Sequence, residues 1–270
     1  MKNLFALALA LLLGLSLVLP AAAQTRRSVY GLQLWPELQA ELALTDNDYL
    51  LLAVRGQNNT DNNGSRSPNR FLGFDERRVS AGYEHFWTEH WSGGATLGYV
   101  SMNDIYVLVP ELLLRHRSQL GPLTFGQRLS FERTFSGPAT YVSQNVARLR
   151  VDLEKVLPVG RLALRPRLSY QAETRIRFLK AETEPNERFI QFTSLRGELG
   201  CRLSPSLDFT PWFAYQTSYS LSLAQTDVNG NITIPAGRFN AVSPVVGLDL
   251  RFTILQDRDA STRQQLPTQH

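Results

Sequence analysis

From residue 34 to residue 254, apolar and polar side chains alternate along the chain with a period of two, segment after segment. That period marks β-strands whose two faces meet different surroundings, because successive side chains leave a strand on opposite sides. In residues 34–44, Leu34, Pro36, Leu38, Ala40, Leu42 and Leu44 share one face, and Glu37, Gln39 and Glu41 share the other. Ala147, Leu149, Val151 and Leu153 oppose Arg148, Arg150, Asp152 and Glu154. Leu162, Leu164, Pro166, Leu168 and Tyr170 then oppose Arg165, Arg167, Ser169 and Gln171. The series ends with Val246, Leu248, Leu250 and Phe252 against Asp249 and Arg251.

A soluble sandwich and a membrane barrel both alternate in this way, so length and spacing decide between them. The segments run to ten residues or more, longer than usual sandwich strands and close to the span of a tilted membrane strand. Short connections fall at 45–48, 87–90, 118–121, 157–160 and 203–206, and longer ones at 56–74, 135–141, 174–188 and 217–239, with 101–104 as the exception. Short turns at one end and long loops at the other are how outer-membrane barrels are built. Trp35, Tyr83, Phe86, Trp87, Trp91, Tyr99, Phe209 and Trp212 stand near strand ends, where rings that are apolar with a polar tip suit a membrane–water boundary. The expected fold is all-β, a transmembrane antiparallel up-and-down β-barrel, since lipid leaves no water to satisfy an open strand edge. Eleven segments are evident, but bacterial single-chain barrels have even strand numbers. Twelve strands are therefore expected, with residues 219–225 as the twelfth, and ten is the alternative.

The N-terminus fits export. A charged start is followed by an apolar run from Leu4 to Leu19, Pro20 and a small-residue site at Ala21–Ala23. The expected organisation is a signal peptide at 1–23, an outer-membrane barrel at 24–256 and a polar tail at 257–270. The 28 basic residues include 25 arginines without a basic run, so nucleic acid is not an expected partner. The single cysteine, Cys201, offers neither an internal disulfide nor a thiolate zinc site. Expected partners are outer-membrane lipids, lipopolysaccharide, the barrel assembly machinery and small solutes; no cofactor is expected.

The block "LGFDERRVSAGYEHFWTEHWSGGATLGYV" at 72–100, with "WPELQAELAL" at 35–44 and Arg55-Gly56, resembles an uncharacterised family of Gram-negative outer-membrane β-barrels. It is one of the families known only as domains of unknown function. The resemblance spans most of the chain and implies location and fold, with no activity to transfer. One departure is that Phe252, which matches the terminal aromatic of many such barrels, is followed by a polar tail.

Several clusters invite a chemical reading. Glu84-His85 and Glu89-His90 suggest a metal site, but His85 shares outward parity with Tyr83 and His90 falls in a turn, so a solvated interfacial turn is expected. His116 and Ser118 form a His-x-Ser pair like that of some barrel lipid hydrolases, without an identifiable third member. Asp227, Asn229 and Asn231 start like a calcium loop, but Ile232 and Arg238 occupy the positions that need Gly and Glu. The richest constellation is the polar face. Parity turns inward Arg55, Arg78, Arg115, Arg128, Arg148, Arg150, Arg165, Arg167, Arg196, Arg202 and Arg251. It also turns inward Glu37, Glu41, Glu84, Glu111, Glu132, Asp152, Glu154, Glu173, Glu198, Asp208 and Asp249. Matched signs predict ion-pair ladders, with arginine suited by its planar fork. Small residues at 80–98 leave a wall toward which the arginines of 147–173 are expected to reach across the lumen. The function expected is a narrow non-enzymatic pore or transport-related barrel. The alternatives are a closed barrel that binds partners through its loops, and a lipid hydrolase.

Overall fold

The computed structural model describes residues 26–60, 74–102, 105–136, 143–160, 162–176, 188–222, 225–226, 232–234 and 237–255. The expected signal peptide, the calcium-like loop at Asp227 and the polar tail lie outside these residues. Eleven long strands carry the fold. They are β1 (Gln33–Ala43), β2 (Asp48–Asn59), β3 (Glu76–Phe86), β4 (Trp91–Met102), β5 (Ile105–Leu120) and β6 (Leu123–Arg133). There follow β7 (Asn145–Glu154), β8 (Leu162–Ile176), β9 (Phe192–Ser204), β10 (Leu207–Ser222) and β11 (Gly237–Ile254). Each strand pairs with the next in sequence, and β11 pairs with β1, so the sheet closes on itself.

Closure corrects the expectation of twelve antiparallel strands. Consecutive hairpin strands alternate in direction, so the first and eleventh must run the same way. They pair in parallel, from Val245 opposite Gln33 to Ile254 opposite Leu42, and Arg26–Val29 continues the pairing beside Phe239–Val242. The barrel is therefore mixed. Residues 219–222 lengthen β10, which pairs with β11 as far as Ser222 opposite Gly237. Gln225 instead joins a two-stranded hairpin of Gln225–Thr226 with Ile232–Ile234.

The connections sort by end as expected. Turns at 44–47, 87–90, 121–122, 155–161 and 205–206 share one end, and 103–104 is the short exception at the other. At 121–122, a left-handed Gly121 followed by Pro122 makes the tight turn between β5 and β6. The odd strand number also separates the chain ends. β1 starts at the long-loop end, whereas β11 finishes at the short-turn end.

The two faces are inverted relative to a soluble protein. Glu41, Asp249 and Arg115 are buried, while Leu112 is 64% exposed and Leu52 is 58% exposed. Outward apolar residues meet in register around the wall. Leu38 lies beside Val54, Val54 beside Val79 and Val79 beside Tyr99. On the other side Val151 neighbours Tyr170, Tyr170 neighbours Leu195 and Leu195 neighbours Tyr215. Apolar packing inside is local. Ala43, Tyr49, Phe86 and Leu255 cluster at the short-turn end, and Trp35, Trp212, Ala214 and Val245 cluster higher up.

Glycine makes room for one of those interior rings. A Cβ on Gly247 would overlap the Trp212 indole, whereas Gly197 faces outward with nothing within 4 Å of the same position. Gly247→Ala is expected to lower the stability of the refolded barrel by about 1–3 kcal/mol through overpacking, and Gly197→Ala to leave it unchanged. Denaturant midpoints of the two variants check this.

Candidate functional site: the charged lumen

Alternation along each strand delivers the charged side chains to one enclosed space, and the pairs they form there are specific. Arg115 on β5 holds Glu84 on β3 at 2.8 Å, and Ser92 donates to the same carboxylate at 2.6 Å. Arg128 meets Glu111 at 2.6 Å. Arg148 bridges Glu173 at 2.7 Å, Glu132 at 3.3 Å and Glu111 at 3.6 Å. Toward the short-turn end, Asp208 takes Arg165 at 2.7 Å and Arg202 at 3.1 Å. Arg167 pairs with Glu198 and with Glu154. Arg196 binds Glu198 at 2.7 Å and Asp249 at 2.9 Å, and the Trp212 indole N–H donates to Asp249 at 2.8 Å. Across the closing seam Arg251 donates to Gln39 at 2.8 Å and lies 3.8 Å from Glu41. Arg55 lies 3.7 Å from Glu76.

These pairs run along the wall, within a strand, to an adjacent strand or to the next but one. The expectation that the arginines of β7 and β8 reach across to the small-residue wall is corrected. Carboxylates stand closer on their own side, and a charge removed from water pairs where the path is shortest. The room beside Gly98 is filled from the neighbouring strand, by the Arg78 guanidinium. Gly126 likewise accommodates the Asp152 carboxylate of the adjoining strand.

The lumen is unlike at its two ends. In the long-loop half lies a cavity of about 160 Å³, lined from every strand except β11. Its charged lining is Arg55, Arg78, Arg128, Arg148, Arg150 and Arg196 with Glu37, Glu111 and Glu173. The short-turn half holds the ion pairs of Arg115, Arg165 and Arg251, and there Tyr49, which is 1% exposed, packs edge-on against Phe86.

Three expected boundary aromatics prove to be interior residues. Trp35 lines the cavity, Trp212 is buried under Arg196, whose guanidinium lies 3.9 Å from the ring centre, and Phe86 packs edge-on to Tyr49. The signal was available: Trp35 shares parity with Glu37, Trp212 with Asp208 and Phe86 with Glu84. Tyr83, Trp87, Trp91 and Tyr99 do face outward, and Phe209 alternates with the interior Asp208 and Thr210.

The three described histidines sit on the outer face or in a turn. His85 binds Asp48 at 2.7 Å through Nδ1, and Asp48 also accepts from the Tyr83 and Thr45 hydroxyls. His90 lies 3.6 Å from Glu89 in the turn. His116 stacks against Trp91 at 4.5 Å between ring centres, and Ser118 pairs across the hairpin with Phe125. The Glu-His doublet therefore ties a turn to the strand beside it.

Replacing Arg115 with Met leaves Glu84 buried and unpaired, which costs about 3–5 kcal/mol. The double variant Glu84→Gln, Arg115→Met is expected to recover most of that loss. A double-mutant cycle on unfolding free energies measures the coupling.

The chain matches no protein family model and no curated protein.

Proposed function

We propose that this protein is a β-barrel of the Gram-negative outer membrane, with its long-loop end outside the cell and its short-turn end in the periplasm. The observation that carries the reading is the apolar belt around a charged interior. A water-soluble barrel would place Leu38, Leu52, Leu112 and Leu168 inside and Glu41, Arg115 and Asp249 outside, and this one does the reverse. Two aromatic bands support a bilayer spanning the wall. Along β3 to β5, Tyr83, Trp87 and Trp91 stand at the short-turn end, and Tyr99 stacks on Tyr106 at the other, with centroids 6.0 Å apart. The leader at 1–23 and the family resemblance agree with export to that membrane.

Within this reading the barrel is transport-related, non-enzymatic and closed at rest. What supports a closed lumen is the set of paired arginines in the periplasmic half and the buried Tyr49–Phe86 contact beside them. The geometry supports a barrel that holds a small solute more than one that conducts ions steadily.

Planar bilayer recordings on the refolded protein are expected to show little steady conductance. Tyr49→Ala with Phe86→Ala removes the plug and is expected to give discrete current steps. Large steps from the unaltered protein would contradict the closed lumen.

A further inference from the structure

We propose that the long-loop half of the lumen is a binding site for a small organic polyanion bearing carboxylate or phosphate groups. The inference deepens the barrel reading, on which it rests for the side from which the ligand arrives. Six arginines and three glutamates line the cavity, and Glu76, Glu132, Glu198 and Asp249 also pair with Arg55, Arg148 and Arg196. Carboxylates at the short-turn end are consumed by Arg115, Arg165, Arg202 and Arg251. A low-dielectric recess holding a positive charge without an ion-pair partner attracts anions.

Individual arginines point the same way. Arg78 lines the cavity and has no ion pair among the described residues. Arg128 spends Nη2 on Glu111, while its Nε and Nη1 are buried without an acceptor. Arg196 Nη1 and Arg55 Nε are also buried without one. Buried donors of this kind are normally satisfied, and planar guanidinium forks match carboxylate and phosphate oxygens two at a time. An apolar wall completes the site. Trp35 lines it with the Arg55 guanidinium 4.9 Å from its ring centre, and Trp212 lies beneath Arg196 at 3.9 Å. A volume of about 160 Å³ has room for on the order of ten waters. That is the size of a small organic acid, not of a sugar chain.

The test uses the refolded full-length barrel in neutral detergent at low salt, titrated with citrate, with inorganic pyrophosphate and with glucose. Calorimetry and tryptophan fluorescence read the binding, since Trp35 and Trp212 stand in the cavity wall. Saturable binding of citrate or pyrophosphate, and none of glucose, is expected, and the stronger of the two names the anionic group. Arg78→Gln is expected to weaken binding about tenfold or more, with part of the loss restored in Arg78→Lys. Because Arg78 supports no ion pair, its variant should keep the heat-shifted gel mobility of the folded barrel. Arg77→Gln removes the same charge one residue away, on the exposed outer face, and should leave binding unchanged. Absence of saturable anion binding overturns the proposal, as does equal weakening by Arg77→Gln and Arg78→Gln. Binding in micelles is measured whether or not the barrel conducts, so this result and the bilayer result fail separately.

Discussion

The parallel pairing of β11 with β1 is the constraint on which the rest of the structure depends. Without it the sheet would have two open edges, and the period-two alternation would define two faces but no interior. With it, one face becomes a lumen and the other a continuous outer surface. The same seam brings Arg251 to Gln39 and Glu41, and its parallel sense puts the start of β1 and the end of β11 at opposite ends of the barrel.

Enclosure then sets the electrostatics. Charges withdrawn from water are costly unless paired, so arginines such as Arg115, Arg128 and Arg148 are fixed by the carboxylates within reach of their own stretch of wall. Where carboxylates are plentiful, as around Asp208 and Glu198, the lumen fills with pairs that serve two arginines each. Where they are fewer, around Arg78 and Arg128, guanidinium groups line open space. Glycines complement this arrangement by yielding volume to specific neighbours: Gly247 to Trp212, Gly126 to Asp152, Gly98 to Arg78.

Much of this was legible in the sequence because strand parity is a local property. The inward set from Arg55 to Arg251, the outward Tyr83 and His85, and the division into short turns and long loops all follow from neighbouring residues. What was not legible depends on residues far apart in the chain. Strand number turns on whether β1 meets β11, and nothing near Leu38 reveals that its neighbour is Leu250. Which carboxylate an arginine chooses depends on barrel curvature, so pairing along the wall could not be separated from reaching across it. The Trp35, Phe86 and Trp212 error has a different origin. Tryptophan and phenylalanine serve both a membrane boundary and an interior, and only their parity with Glu37, Glu84 and Asp208 tells the two apart.

Disulfide trapping across the seam tests the closure most directly, in a Cys201→Ser background. In the parallel register Leu34 faces Val246 and Leu38 faces Leu250. Cysteine pairs at 34 with 246, and at 38 with 250, are both expected to cross-link in the folded barrel. The crossed pairs, 34 with 250 and 38 with 246, are expected to stay reduced. Efficient cross-linking of the crossed pairs would mean an antiparallel seam, and with it an even-stranded barrel and a different interior.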